Sequence, residues 1–443
     1  MNSATSDFLN ASRWVAAFFV VFGHVYKICN VQDQYVIHSS LLFHAANFFS
    51  GFGHIAVTVF FVISGFLVGG RTILIFENNG FRVIDYFVNR FSRIYTVLIP
   101  ALIIGGILDL AGITIFNLSG IYSHPDQFYT NPFGNDITKH LSVGIFVGNL
   151  IQMQTIMVSS LGSNGPLWSL ANEWWYYVLF GFFMIAYRPG RMLTRVVAGG
   201  AIATMAIALP LTISLWFVIW GIGAGLALLD RYWAGWPFLA GTAMAAVCLI
   251  AVRWANNWLM YRGVTTNVAI DFTMDLVVAL GFSAALVCAK NLKQPLKFGS
   301  VHRLLASFSY TVYLVHFPAM MFAVALMKDV LDVGFLRQPS VGALIYMGVL
   351  LVILYGYAWI FAAFTEAHTN VVRSRLGLVI AALFYQREYI SPSEASVGVV
   401  RMVTLRASVQ TAVSRLRWAA RGQLALSKRE FGRRLMDLSR RPR

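Results

Sequence analysis

Charge is what this chain has least of. Asp, Glu, Lys and Arg together make up 12% of its 443 residues, about half the share of an ordinary soluble protein. Hydrophobic residues make up 58%, and the mean hydropathy is +0.67. A soluble domain is excluded, and a polytopic membrane protein is left. Cysteine is also scarce. Cys29, Cys248 and Cys288 have no paired spacing, so neither a disulfide framework nor a cysteine zinc site is expected. Acidic residues number 18 against 34 basic ones, a net charge of +16. That balance could suggest nucleic acid, but its distribution argues against it. From Arg387 onward, 13 cations stand against 4 acids, so more than half of the excess lies in one terminal segment. No repeat of fixed period occurs. No small-x-small cleavage pattern follows the first apolar run, where Lys27-Ile-Cys-Asn stands, so a retained first span is expected.

What is present in quantity is long apolar runs. Segments long enough to span a bilayer lie near 9–29, 52–75, 94–116, 166–187, 196–211, 212–229, 236–252, 268–289, 304–327 and 341–364. The expected fold is therefore all-α, a polytopic bundle of about ten transmembrane helices over residues 1–370. The stretch 140–160 is long enough to be an eleventh span but carries Asn149, Gln152 and Gln154. Charge bias decides the matter. If 140–160 does not span, 15 cations before the tail fall on the N-terminal side and 6 on the other. Both termini are thus expected in the cytoplasm, with 140–160 at or re-entering the outer surface. Residues 371–443 read as a cytoplasmic tail. From Val397 it mixes apolar residues and Arg at helical intervals, a basic amphipathic pattern that anionic lipids attract.

Some motifs invite a ligand reading. Gly221-Ile-Gly-Ala-Gly225 has the look of a nucleotide loop, but it sits inside a span, where small residues let helices approach closely. His38, His44 and His54 match no metal-ligand spacing, so they are read as surface residues and no metal is expected.

The first span is more informative. Arg13 and His24 are eleven residues apart, about 1100° of helical rotation, which returns both to one face roughly 16 Å apart. Ionisable groups inside a membrane face protein or water, not lipid, so this stripe should border a path through the bilayer. Arg90-Phe-Ser-Arg93 sits at the same depth as Arg13. Three guanidiniums at one level suit phosphate groups; the same pattern also fits plain positive-inside decoration. In the outer half stand His24, the segment Trp168-Ser-Leu-Ala-Asn-Glu173, and Tyr310, Tyr313 and His316 on neighbouring turns. Each has a structural alternative, as interface anchor or hydrogen-bonded core residue. Together they describe a vectorial site, with an anion held from inside by arginines and an imidazole ready to exchange a proton further out. An exporter of anionic metabolites or a flippase of lipid-linked sugars would suit the same residues. No paired broken helices of the transporter kind are evident.

Several landmarks, in order and spacing, resemble the acyltransferase 3 family of integral membrane acyltransferases. They are Arg13 to His24; Phe60-Phe61-Val-Ile-Ser64-Gly65-Phe66; Arg90-x-x-Arg93 with Pro100; Trp168-Ser169-Leu170-x-x-Glu173; and Ser309-Tyr310-x-x-Tyr313-Leu314-x-His316-x-Pro318. The resemblance covers roughly 7–370. It implies a ten-span fold in the cell inner membrane and an acyl-CoA donor, most often acetyl-CoA. It also implies O-acylation of an extracytoplasmic carbohydrate such as an exopolysaccharide, lipopolysaccharide or lipid-linked oligosaccharide. His24 would be the base or acyl relay, and Arg13, Arg90 and Arg93 would hold the CoA. Glu173 is expected to join the catalytic group by orienting His24 or the sugar. Ser64, Trp168, Tyr310, Tyr313 and His316 are expected to shape the substrate pocket. Where the family places Glu-x-Pro after its last span, this chain has Glu366-Ala-His368.

Overall fold

The computed structural model describes residues 3–29, 41–78, 81–118, 120–124, 136–232, 236–292, 294, 296–333 and 340–388. Among these residues every regular element is helical, apart from one isolated bridge between Gln154 and Val158. Eight segments are long and apolar enough to cross a membrane. They are α1 (Ser3–Ile28), α3 (Gly53–Glu77, after the short α2, Leu41–Ser50), α4 (Val83–Ile115), α8 (Leu211–Tyr232), α9 (Phe238–Tyr261), α10 (Val268–Cys288), α12 (Ser309–Leu331, after the short α11, Gly299–Ser307) and α13 (Val341–Phe364). The two other expected spans are also helices. α6 (Leu167–Tyr187) has the length but carries Asn172 and Glu173, while α7 (Met192–Ala208) has 17 residues, about 26 Å.

Side-chain caps start several of these helices. Asn267 accepts from the Ile270 amide at 3.0 Å and Ser340 from the Ala343 amide at 3.1 Å, satisfying first-turn donors that a helix leaves unpaired. Stretch 140–160 behaves as its polar side chains suggested. Its helix α5 (Val143–Leu150) has eight residues, about 12 Å, far short of the roughly 30 Å hydrocarbon layer. Asn149 and Gln154 are buried and tie the loop together. Asn149 donates to the Ile145 and Ser159 carbonyls, and Gln154 to the Leu167 carbonyl at 3.1 Å. Buried Asp109 on α4 anchors the loop's end, accepting from the Ser163 amide and hydroxyl, each at 2.7 Å.

The crossing of α3 and α8 depends on glycine. A Cβ at Gly65 would collide with the Trp220 carbonyl oxygen, and one at Gly223 with the Val62 carbonyl oxygen. Gly221 and Gly225 meet nothing, so only the middle glycine of that motif serves the close approach. At this crossing α3 widens into a π turn over Gly65–Gly70, a form often found at functional sites. α13 ends at Thr365, and the 3-10 turn Glu366–His368 leads into α14 (Thr369–Glu388). The helix is thus interrupted here without the missing proline.

The described residues divide into a unit over Met1–Ser374, which holds all the functional groups below, and a second unit from Arg375. Of the latter, the end of α14 is described; the expected amphipathic segment from Val397 and the histidine His38 lie outside the described residues.

Candidate active site

A cavity of about 1140 Å³ opens among α1, α3, α4, α6 and α12. That exceeds the 300–1,000 Å³ usual for small-ligand pockets. Six cations line it, Arg13, Arg71, Arg90, Arg93, Lys290 and Arg373, against two carboxylates, Glu173 and Glu366. The excess of positive charge favours a large anionic occupant.

The arginines differ in how they are engaged. Arg93 is paired with Glu366 at 2.7 Å and lies over the Tyr310 ring at 5.0 Å. The second oxygen of Glu366 accepts from the Thr311 amide and hydroxyl, so this pair locks α4 to α12 as well as bordering the cavity. Arg90 sits over the Tyr177 ring at 5.7 Å, and its Nε is buried without a partner. No described group bonds the Arg13 guanidinium. Arg13, Arg71 and Arg90 are therefore lining arginines with donors left to give.

Beside Arg90 runs a chain of hydroxyls. Carboxylate Glu173 can only accept, so the Tyr177 hydroxyl donates to it at 2.5 Å. The Ser64 hydroxyl then donates to Tyr177 at 3.0 Å, and the Trp220 Nε1–H donates to Ser64 at 3.1 Å. Glu173 and Tyr177 are one helical turn apart on α6, and Ser64 sits where α3 enters its π turn.

His24 and His316 lie beyond the cavity lining, one layer further along α1 and α12. The bridge is Tyr313, which lines the cavity, donates to the Pro166 carbonyl at 3.0 Å, and has its ring centroid 6.1 Å from that of His316. His24 Nδ1 and His316 Nε2 are 2.9 Å apart, and the two rings are almost parallel, at 7°. The tautomers follow from the neighbours. His316 is fully buried, and its Nδ1 faces two backbone carbonyls, Val312 at 3.0 Å and Tyr313 at 2.9 Å. Carbonyls only accept, so His316 Nδ1 carries the hydrogen. In a neutral ring Nε2 is then bare and accepts. The hydrogen between the rings therefore belongs to His24 Nδ1, and His24 Nε2 is a lone pair with no described partner. An imidazole held in one tautomer with a bare nitrogen is the arrangement a general base or nucleophile requires.

The structure brings Arg13, Arg90, Arg93, Ser64, Glu173, Tyr310 and Tyr313 around one cavity and sets His24 and His316 beside it. Glu173 bonds Tyr177, and the group bonded to His24 is His316. Trp168 stands elsewhere, with its ring stacked on that of His54 at 6.0 Å and 16°. His54 is not a plain surface residue either. It bonds Asp275, an acid buried in α10. Sequence reasoning passed over Asp275, although an acid two turns inside the span Val268–Cys288 was a signal in itself.

A family model described as an acyltransferase domain matches residues 6–363. An O-acetyl transferase of Shigella phage Sf6 is 25% identical over 325 residues, covering 71% of this chain and 84% of that protein. The acyltransferase MdmB of Streptomyces mycarofaciens is 28% identical over 361 residues, 76% of this chain and 84% of its own. An uncharacterised protein of Haemophilus influenzae is 32% identical over 139 residues, 30% of this chain. No solved structure matches.

Proposed function

Because this chain belongs to the acyltransferase 3 family of membrane acyltransferases, we propose that it carries an acetyl or related short acyl group from cytosolic acyl-CoA to a hydroxyl of an extracytoplasmic carbohydrate. The observation that carries this reading is the position of a tautomer-locked His24 next to a large cation-lined cavity. In the proposed arrangement the CoA phosphates sit against Arg13 and Arg90, whose donors are free, and the thioester points past Tyr310 and Tyr313. Arg93 supports this wall through Glu366.

His24 Nε2 takes the proton of the acceptor hydroxyl as its oxygen attacks the thioester carbon. The carbon–sulfur bond breaks, and the proton passes to the departing CoA thiolate. In the two-step variant Nε2 itself attacks the thioester carbon and the carbon–sulfur bond breaks, releasing CoA as the thiolate. The sugar oxygen then attacks the acyl carbon, the carbon–nitrogen bond breaks, and the hydroxyl proton passes through the freed Nε2 to the thiolate. Glu173, through Tyr177 and Ser64, shapes the electrostatics of the inner wall. The cation-bearing end faces the cytoplasm of a cell whose inner membrane holds the protein, and the partner proposed for the basic tail sequence is anionic lipid.

Incubating membranes with radiolabelled acetyl-CoA and isolated surface polysaccharide tests this reading. Label should become covalently bound to the polymer and be released by mild base, as an ester is. Transport of labelled donor into the vesicle lumen without any esterified carbohydrate would instead identify an exporter.

A further inference from the structure

A second histidine bond, this one to a buried acid, stands at the same end of the bundle as His24. Asp275 Oδ2 lies 2.9 Å from His54 Nε2 and accepts from Trp216 Nε1 at 2.7 Å, while Oδ1 accepts from the Thr58 hydroxyl at 2.8 Å. Asp275 is 2% exposed, yet the His54 side chain is 54% exposed. With a carboxylate taking three donors, the hydrogen of His54 lies on Nε2, and Nδ1 is turned away from Asp275 with no described partner. The ring rests flat on Trp168, itself partly exposed, with Phe61 edge-on behind.

Placement links this centre to the histidine pair. His54 and Trp168 lie in the first turn of α3 and α6, Trp216 in the second turn of α8, and Asp275 in the first half of α10. His24 lies near the last turn of the antiparallel α1. The residue before it, Gly23, packs so closely that a Cβ there would be 2.6 Å from the Ser50 carbonyl oxygen and 4.0 Å from Gly53 Cα. Gly53 immediately precedes His54, so the two imidazoles belong to adjoining backbone positions. Neither His54 nor Asp275 lines the cation-rich cavity.

The exposed outer face of the His54 ring, backed by the Trp168 indole and carrying an outward hydrogen-bond acceptor, suits a polyhydroxylated ring. The apolar face of a sugar packs on an aromatic, and one hydroxyl reaches a polar anchor. We infer that His54, fixed by Asp275 and flanked by Trp168, forms the subsite that binds the carbohydrate acceptor. The inference rests on the acyltransferase reading above. His54 acts here as a binding residue, and Asp275 as the residue that positions it.

The test uses the full-length protein in proteoliposomes with acetyl-CoA as donor and methyl glycosides of glucose, rhamnose and N-acetylglucosamine as acceptor probes. His54→Phe keeps a ring against Trp168 but has no nitrogen. His54→Gln can donate to Asp275 through its amide nitrogen and offer its oxygen outward. In His54→Phe the acceptor KM should rise roughly tenfold, with the acetyl-CoA KM within about twofold of wild type. His54→Gln should recover most of the loss. Binding of the same glycosides, followed by tryptophan fluorescence without any donor, should weaken in parallel.

An unchanged acceptor KM and unchanged glycoside binding in His54→Phe would overturn the subsite, as would a wild type that binds none of the glycosides. Glycoside binding that depends on His54, in a protein that transfers no acyl group, would retain the subsite and overturn the acyltransferase reading.

Discussion

Replacing His316 with Phe should impair the reaction although His316 touches neither cavity nor, in this account, substrate. The substitution keeps an aromatic ring in a fully buried site and removes the acceptor 2.9 Å from His24 Nδ1. His24 then loses the group that fixes its ring and tautomer. An unmet buried donor costs about 1–3 kcal/mol, which the ring can relieve by turning or by moving its hydrogen to Nε2, the atom the reaction needs bare. General acid–base catalysis is worth roughly 10² to 10⁴ in rate, and a misheld base loses part of that. A fall in kcat of about 10- to 100-fold follows, equivalent to roughly 1.4–2.7 kcal/mol of transition-state stabilisation. The acetyl-CoA KM should hold. His316→Gln, whose carbonyl oxygen can accept from His24 Nδ1, should recover a substantial part. The assay is label transfer from acetyl-CoA to carbohydrate, normalised to folded protein in the membrane. A His316→Phe enzyme within about twofold of wild type in kcat would refute the reasoning.

Other outcomes follow from the same geometry. Arg13→Ala and Arg90→Ala should each raise the acyl-CoA KM about tenfold or more, since charge-assisted bonds to phosphate are worth about 1.5–3 kcal/mol; titration with donor at fixed acceptor checks this. Glu366→Ala leaves Arg93 without its partner. It should lower thermal stability in detergent, by less than the roughly 3–5 kcal/mol of a fully buried broken pair, because Arg93 remains 35% exposed on the cavity. Gly223→Ala places a methyl against the Val62 carbonyl and should destabilise by about 1–3 kcal/mol, visible as a lower unfolding midpoint, whereas Gly225→Ala, which meets nothing, should be nearly silent.

The bundle was legible because its signal is compositional. Apolar runs bounded by Arg clusters read as spans, and the polar Asn149 and Gln154 marked the one long run that does not cross. The stripe from Arg13 to His24 was legible because helical period alone puts the two on one face. Pairings across the sequence were not. The His24–His316 bond joins residues 292 apart, His54–Asp275 residues 221 apart, and no local pattern records which helix packs on which. Glu173 illustrates the limit. Its type and depth were readable, but its partner, Tyr177, was one turn away on its own helix rather than at the histidine. Arg93 likewise reads from sequence as a ligand-binding cation, and only the fold shows that Glu366 occupies it.

The most direct test of the central claim is label transfer by purified His24→Ala protein in proteoliposomes, beside wild type, with radiolabelled acetyl-CoA and the carbohydrate acceptor. The account predicts esterified label with wild type and none above background with the variant, while both proteins bind acetyl-CoA alike. Wild-type rates of ester formation by His24→Ala would contradict it.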